Sequence, residues 1–428
     1  MKKIRIFKTL LSSLLTGIII LSSSGCGSHK TETESKADKS SVSSNSTVVS
    51  KSESSIWYPS SYVAVNAESS EESSVKEAVY PSEWDDNGIF SPYYEKAYKM
   101  LREMSLDEKI GQMFYSSCPE KFGGDYARQY HLGGYVLFGS DFEDKSKDKV
   151  IENVSSYINS QKVPMTISVD EEGGTVTRIG AKKALSDHEF RSPRELYEEG
   201  GIELIKKDAE EKSKLLKSLG IDVNLAPVCD ISVKESDFMY DRSLGQNAEI
   251  TSEFVSAVTE ISQNNGVSVT LKHFPGYGNN NDTHTGIAID NRSYESFEKK
   301  DFLPFKAGID AGAHLVMVSH NIVNCMDSTK PASLSADVHK ILREELGFTG
   351  IIVTDDLTMD AIKQYSGQYT PAVAAVLAGN DMIAIGNTML EESITSVREA
   401  VNSGVIDEKI IDHAVMRILA WKYSKNMM

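Results

Sequence analysis

The chain has 428 residues, 40% hydrophobic and 25% charged, which is ordinary for a globular protein and enough to bury a large core. Its formal net charge is −17 and no basic stripe runs through it, which argues against nucleic acid as a partner. Cys118, Cys229 and Cys325 are too widely spaced for a disulfide framework or a CxxC zinc site, so they are expected to be small buried apolar residues.

Residues 1–25 have the parts of a secretory signal. Lys2, Lys3, Arg5 and Lys8 form a charged start, and Leu10 to Leu21 an apolar run. Ser24 and Gly25 directly before Cys26 resemble a bacterial lipobox, although Ser23 stands where that motif usually has Leu. The resemblance implies a lipid on Cys26 and an extracytoplasmic, membrane-anchored protein. A plain secretory signal and an uncleaved anchor are the alternatives. Residues 26–88 are rich in Ser, Thr, Lys and Glu and bury too little to order themselves, so a tether is expected. One domain is expected from 89 to 428.

That domain opens with Tyr94, Ala97, Tyr98 and Leu101 at helical spacing. Ser105-Leu106-Asp107-Glu108 then reads as a capping box starting a second helix. From there short apolar runs alternate with helical stretches. Strands are predicted at Met113–Ser116, Gly134–Phe138, Met165–Val169, Asp222–Ala226, Ser268–His273, His314–Val318, Gly350–Thr354 and Met382–Ile385. Helices are predicted at Asp144–Gln161, Ile202–Leu219, Glu249–Asn264, Tyr294–Gly312, Ala336–Leu346, Glu391–Asn402 and Asp407–Lys425. The alternation fits a (β/α)8 TIM barrel, with an open doubly wound sheet as the runner-up. The barrel is favoured because Asp170, Asp230, Lys272, His273, His320 and Asp355 all fall at strand ends, where a barrel gathers them at one mouth.

Two stretches hold the chemistry. In the first, Lys272-His273-Phe274-Pro275-Gly276 leaves a strand and leads to Asp282-Thr283-His284. Residues two apart in an extended loop point the same way, so Asp282 can reach the His284 ring, fix its tautomer and leave the other nitrogen for proton transfer. In the second, a strand delivers Asp355-Asp356 at its tip: Asp355 is placed for chemistry, Asp356 for capping the next turn.

With those residues in view, the chain is similar to glycoside hydrolase family 3, and more narrowly to its bacterial β-N-acetylhexosaminidase branch, from about Met104 onward. The similarity rests on Ser105 to Met113, Val169-Asp170-Glu171-Glu172-Gly173-Gly174, Asp241-Arg242-Ser243, Lys272 to Gly276, Asp282-Thr283-His284 and Leu342 to Asp356. It implies a single-domain barrel that removes terminal β-linked N-acetylglucosamine from cell-wall fragments or chitin-type oligosaccharides. Asp355 would be the nucleophile, His284 the acid/base and Asp282 its partner. Asp170, Arg178, Arg242, Lys272 and His273 would bind the sugar. Retaining glycosidases need a nucleophile and a proton donor, and an imidazole can be the donor because it titrates near neutrality. Many members draw the donor from a second domain. This chain ends soon after its eighth helix, which favours a donor within the barrel. Two departures stand out: Tyr277 is where many members have His, and the loop from Lys272 to Asp282 is one residue shorter.

No cofactor is expected, since neither GxxxxGK[ST] nor GxGxxG occurs at a strand–helix junction. Asp282, His284, His273 and His320 could ligate a cation at a barrel mouth, but no strand carries His-x-His. The expected partners are a glycan and, through the N-terminal lipid, the membrane; a monomer is expected. A sugar-binding lipoprotein without turnover and a β-N-acetylglucosaminide phosphorylase are the competing readings.

Overall fold

The computed structural model describes residues 80–428 apart from 364 and 366. The expected signal, the Cys26 lipid site and the tether as far as residue 79 lie outside the described residues. Residues 80–88, also assigned to the tether, are packed instead. Trp84 stacks on His413 with ring centroids 5.8 Å apart, and the Asp86 carboxylate accepts the Tyr94 hydroxyl at 2.9 Å and pairs with Arg417 at 3.5 Å. The composition of the preceding stretch hid these few anchoring side chains.

Eight strands make one parallel sheet: β1 Phe114–Ser117, β2 Gly134–Leu137, β3 Thr166–Val169, β4 Val223–Asn224, β5 Ser268–Phe274, β6 Leu315–Val318, β7 Ile351–Thr354 and β8 Ile383–Ile385. Their order is β8-β1-β2-β3-β4-β5-β6-β7. The ring is closed between β7 and Met382, just before β8: Thr354 N–H donates to Met382 O at 3.2 Å and Met382 N–H to Ile352 O at 3.0 Å. This is a (β/α)8 TIM barrel, and the open sheet is set aside. Strands β2, β3, β6 and β7 are buried along their whole length, as expected where side chains fill the barrel on one face and helices cover the other.

Local chemistry accounts for the helix starts. Ser105 and Glu108 form the expected capping box. Ser192 and Glu195 form another, with Pro193 at the first helical position. That second box starts helix Pro193–Ser218 well before the predicted Ile202, and the left-handed Gly201 kinks it where the apolar periodicity begins. Helix Pro371–Ala378 was not predicted. Ala372, Val373, Ala375, Val376 and Ala378 are all buried, so no polar face marks it. The three described cysteines are unpaired, and only part of the expectation for them holds: Cys229 is buried and Cys118 half-buried, but Cys325 is exposed on the loop after Ile322–Val323.

Candidate active site

The carboxyl ends of the strands surround a pocket of about 450 Å³, within the range of small-molecule sites. Asp170, Arg178, Arg242, Lys272, His273, His284 and Asp355 all line it, over an apolar floor that includes Val136, Leu225, Met317 and Ile385. Asp282 is held at its edge through His284.

Asp355 follows β7 directly. Its N–H donates to Val318 O at 3.0 Å, extending the β6–β7 ladder, so the side chain leaves a rigid strand end. Asp356 N–H donates to its Oδ1 at 2.8 Å. Burial pushes the Asp355 carboxyl upward, but the imidazoles of His320, His273 and His284 and the Asp356 N–H together hold it below the usual aspartate value of 3.8. Asp356 itself turns away, its Oδ1 accepting Thr358 N–H at 2.8 Å and the Thr358 hydroxyl at 2.7 Å. One acid is thus free toward the pocket and the next closes an Asx turn.

His284 faces the same pocket from the loop after β5. Its Nδ1 lies 2.6 Å from Asp282 Oδ1, which also accepts the His284 amide at 2.9 Å. A carboxylate can only accept, so Nδ1 carries the proton and Nε2 is left to the pocket. The His284 side chain is 58% exposed and that of Asp282 28%, so the imidazole is open to solvent while its partner is partly covered.

Opposite them is an alternating lattice of charge. Lys272 Nζ reaches Asp170 Oδ1 at 2.8 Å and Glu172 Oε1 at 2.6 Å. Arg242 grips Glu172 with two bonds, Nε to Oε2 at 2.9 Å and Nη2 to Oε1 at 2.7 Å. Arg178 Nη2 stands 3.6 Å from Asp170 Oδ2. Burial raises the Glu172 carboxyl, yet Lys272 and Arg242 outweigh it and bring it from 4.5 to about 2. Lys272 is fully charged: burial works against its ammonium, and Asp170 and Glu172 more than restore it. His273 donates from Nδ1 to Asp230 Oδ2 at 2.7 Å, which turns Nε2 toward Arg242 Nη2 at 3.4 Å.

Every residue singled out from the sequence within the described part therefore belongs to one site. Two residues given no role from the sequence, Glu172 and Glu171, do as well, and Asp230 and His320 support the site from the strand ends where the sequence placed them. Glu172 is the hub of the charge lattice. The signal for it was present, since Asp170 and Glu172 leave a strand two residues apart and so face the same way. Glu171 is buried and accepts the backbone N–H groups of Arg178, Ile179 and Gly180 at 3.0, 2.8 and 3.2 Å, which shapes the loop that aims Arg178. Asp230 anchors His273. His320 supports the peptide that follows Asp355: its Nε2–H donates to Asp356 O at 3.0 Å, and its Nδ1 accepts the Ser333 hydroxyl at 2.7 Å. Both nitrogens are thereby spent, which removes His320 from the cation site considered above. Among the described residues no group of three or more His, Cys, Asp or Glu side chains could hold a metal ion.

Residues 105–421 match the model of the glycosyl hydrolase family 3 N-terminal domain. The chain is similar to a beta-hexosaminidase of Nitrosomonas eutropha, 32% identical over 277 residues that cover 62% of this chain and 78% of the relative. Among solved structures it resembles a family 3 beta-N-acetylglucosaminidase from a Paenibacillus species, with a TM-score of 0.69 and 29% identity. That match covers 76% of this chain but only 63% of the longer Paenibacillus protein. A family 3 glycosyl hydrolase from Mycobacterium smegmatis matches with a TM-score of 0.64 and 26% identity, over 75% of this chain and 97% of its own.

Proposed function

Because the chain belongs to glycosyl hydrolase family 3, as the match over residues 105–421 shows, we propose that it is a retaining, exo-acting β-N-acetylglucosaminidase with Asp355 as nucleophile and His284 as acid/base. The observation that carries this reading is that Asp355 and His284 line one pocket, together with the lattice of Asp170, Arg178, Arg242, Lys272 and His273. The beta-hexosaminidase and beta-N-acetylglucosaminidase relatives support the choice of sugar.

The reaction runs in two displacements. The Asp355 carboxylate attacks the anomeric carbon. The glycosidic C–O bond breaks, and the proton on His284 Nε2 passes to the departing oxygen. A water molecule then attacks the glycosyl–aspartate ester. His284 Nε2 takes the water's proton, and Asp355 leaves with its electron pair, so the β configuration is restored. Asp282 holds the ring in the required orientation and balances the imidazolium. Lys272, Asp170, Arg178, Arg242 and His273 present directional donors and acceptors to the ring hydroxyls, which fix one terminal sugar.

The test is hydrolysis of nitrophenyl N-acetyl-β-glucosaminide. Turnover that produces the β anomer first supports the reading. Binding without turnover would make the chain a sugar-binding protein instead, and a glycosyl phosphate product in phosphate buffer would make phosphate the acceptor in place of water. The pH profile adds a second check. With a dinitrophenyl glycoside, whose leaving group needs no proton, the acid-side fall in kcat/KM should have its midpoint below 3.8, because Asp355 is held below that value. A midpoint near pH 5 would contradict the environment described for Asp355.

We place the protein outside the cytoplasm on a lipid attached to Cys26, on the strength of the Ser-Gly-Cys sequence after an apolar run. Among the described residues no helix is long and apolar enough to cross a membrane. Intact-mass measurement should find a diacylglyceryl group on an N-terminal Cys26, and a lipid-free mature chain starting elsewhere would refute the placement.

A further inference from the structure

Tyr277 takes no part in the steps above, yet it sits between their two halves. Its ring is only 2% exposed. It packs with Val228 and Met239, and its centroid lies 5.5 Å from that of Phe238 and 5.6 Å from that of His273. At the base of the residue, the backbone N–H donates to Asp230 Oδ1 at 2.6 Å. The other oxygen of that carboxylate holds His273, through Nδ1 at 2.7 Å and the amide at 3.1 Å. At the far end the phenol oxygen accepts Thr283 N–H at 2.9 Å and shares a hydrogen bond of 2.6 Å with the Thr283 hydroxyl. Thr283 is fully buried, between the half-buried Asp282 at the pocket's edge and the exposed His284 that lines it. Its carbonyl accepts Ala361 N–H at 3.2 Å from the short helix Asp360–Lys363 that follows Asp355 and Asp356.

The geometry points to Tyr277 as the positioning residue of the acid/base loop: through Thr283 it sets where the Asp282–His284 pair stands, and through Asp230 it ties that place to the His273 side of the sugar site. This rests on His284 being the proton donor. A loop whose working side chains are exposed needs a fixed point, and here the only residue between them is the buried one. Each bond to the phenol contributes about 1 kcal/mol net, but a displacement of about 1 Å at a reacting group costs about 100-fold in rate. The effect on catalysis should therefore exceed the effect on stability. Burial pushes the phenol far up from its ordinary value of 10.0, so it keeps its proton at neutral pH and the anchor does not release there.

Tyr277→Phe keeps the ring and removes both bonds to Thr283. The substrates to compare are the methyl and dinitrophenyl N-acetyl-β-glucosaminides, because only the first needs a proton delivered to its leaving oxygen. For Tyr277→Phe, kcat/KM on the methyl glycoside should fall roughly 10- to 100-fold, against less than about threefold on the dinitrophenyl glycoside. Thr283→Val, which loses the same hydroxyl contact from the other side, should show the same pattern and carries the test if Tyr277→Phe does not fold. Equal losses on both substrates would reduce Tyr277 to a packing residue, and no loss on either would mean the loop is positioned by something else. Both results overturn the proposal. His284→Ala runs beside them. If it fails to discriminate between the substrates, the donor assignment falls and this proposal falls with it; if it discriminates while Tyr277→Phe does not, only the positioning role is lost.

Discussion

Replacing Asp355 with alanine should lower kcat/KM for nitrophenyl N-acetyl-β-glucosaminide by roughly 10⁴-fold or more while leaving the fold intact. The size of the effect follows from where the side chain stands. Its backbone N–H is fixed to Val318 O at 3.0 Å at the end of a barrel strand, so the carboxylate loses little freedom on reaching the anomeric carbon. Its negative charge is secured by the surrounding imidazoles and the Asp356 N–H. No neighbour can take over. Asp356 is committed to Thr358 N–H at 2.8 Å, and Asp170 to Lys272 at 2.8 Å. The residual reaction has a predictable stereochemistry. Azide added to Asp355→Ala can occupy the space of the missing carboxylate and attack from the same face, so the product should be the α-glycosyl azide. A β-azide would mean that the nucleophile lies on the other face. Unchanged activity would remove Asp355 from the reaction altogether.

The second large effect concerns Glu172. Glu172→Gln should destabilise the protein by about 3 kcal/mol at neutral pH and raise KM, because buried Lys272 would be left with Asp170 alone and Arg242 would lose its carboxylate partner. The pH dependence has a definite sign. The folded-state value of Glu172 is lowered, from 4.5 to about 2, so its contribution to stability is fully present above pH 4.5 and is lost as the pH falls toward 2. That shift corresponds to about 3 kcal/mol. Urea titrations of wild type and Glu172→Gln should therefore differ most at pH 7, by less at pH 3, and converge near pH 2. A gap of the same size at all three pH values would show that the cost lies in packing rather than in the ion pairs.

The barrel was legible in the sequence because each strand is a short apolar run with Gly or a polar residue at its ends, and those runs recur around a common helical spacing. All eight appear to within one or two residues. The residues at the strand tips were legible for the same reason: once the strands are placed, Asp170, Lys272, His273 and Asp355 must face one mouth. What escaped has two causes. Helix Pro371–Ala378 is apolar on every side, so periodicity had nothing to register. The role of Glu172, and the contacts through which Asp230 and Tyr277 act, depend on partners distant in sequence or on a side-chain direction that only the closed loop settles. The contact between Tyr277 and Asp230 spans 47 residues and that between Glu172 and Arg242 spans 70, and no local pattern encodes either. Trp84 and Asp86 were missed because a few anchoring side chains do not alter the composition of a long polar stretch.

The claim on which the rest depends is that sugar becomes bonded to Asp355 midway through the reaction. A ring-fluorinated N-acetylglucosaminyl fluoride tests it directly. The ring fluorine slows both displacements by disfavouring positive charge on the sugar, while the fluoride leaving group keeps the first faster than the second, so the intermediate accumulates. Peptide mapping of the inactivated protein should locate one sugar on the peptide that contains Asp355, and the label should be absent from Asp355→Ala. A sugar attached to any other residue, or continued turnover with no labelled peptide, would contradict the account.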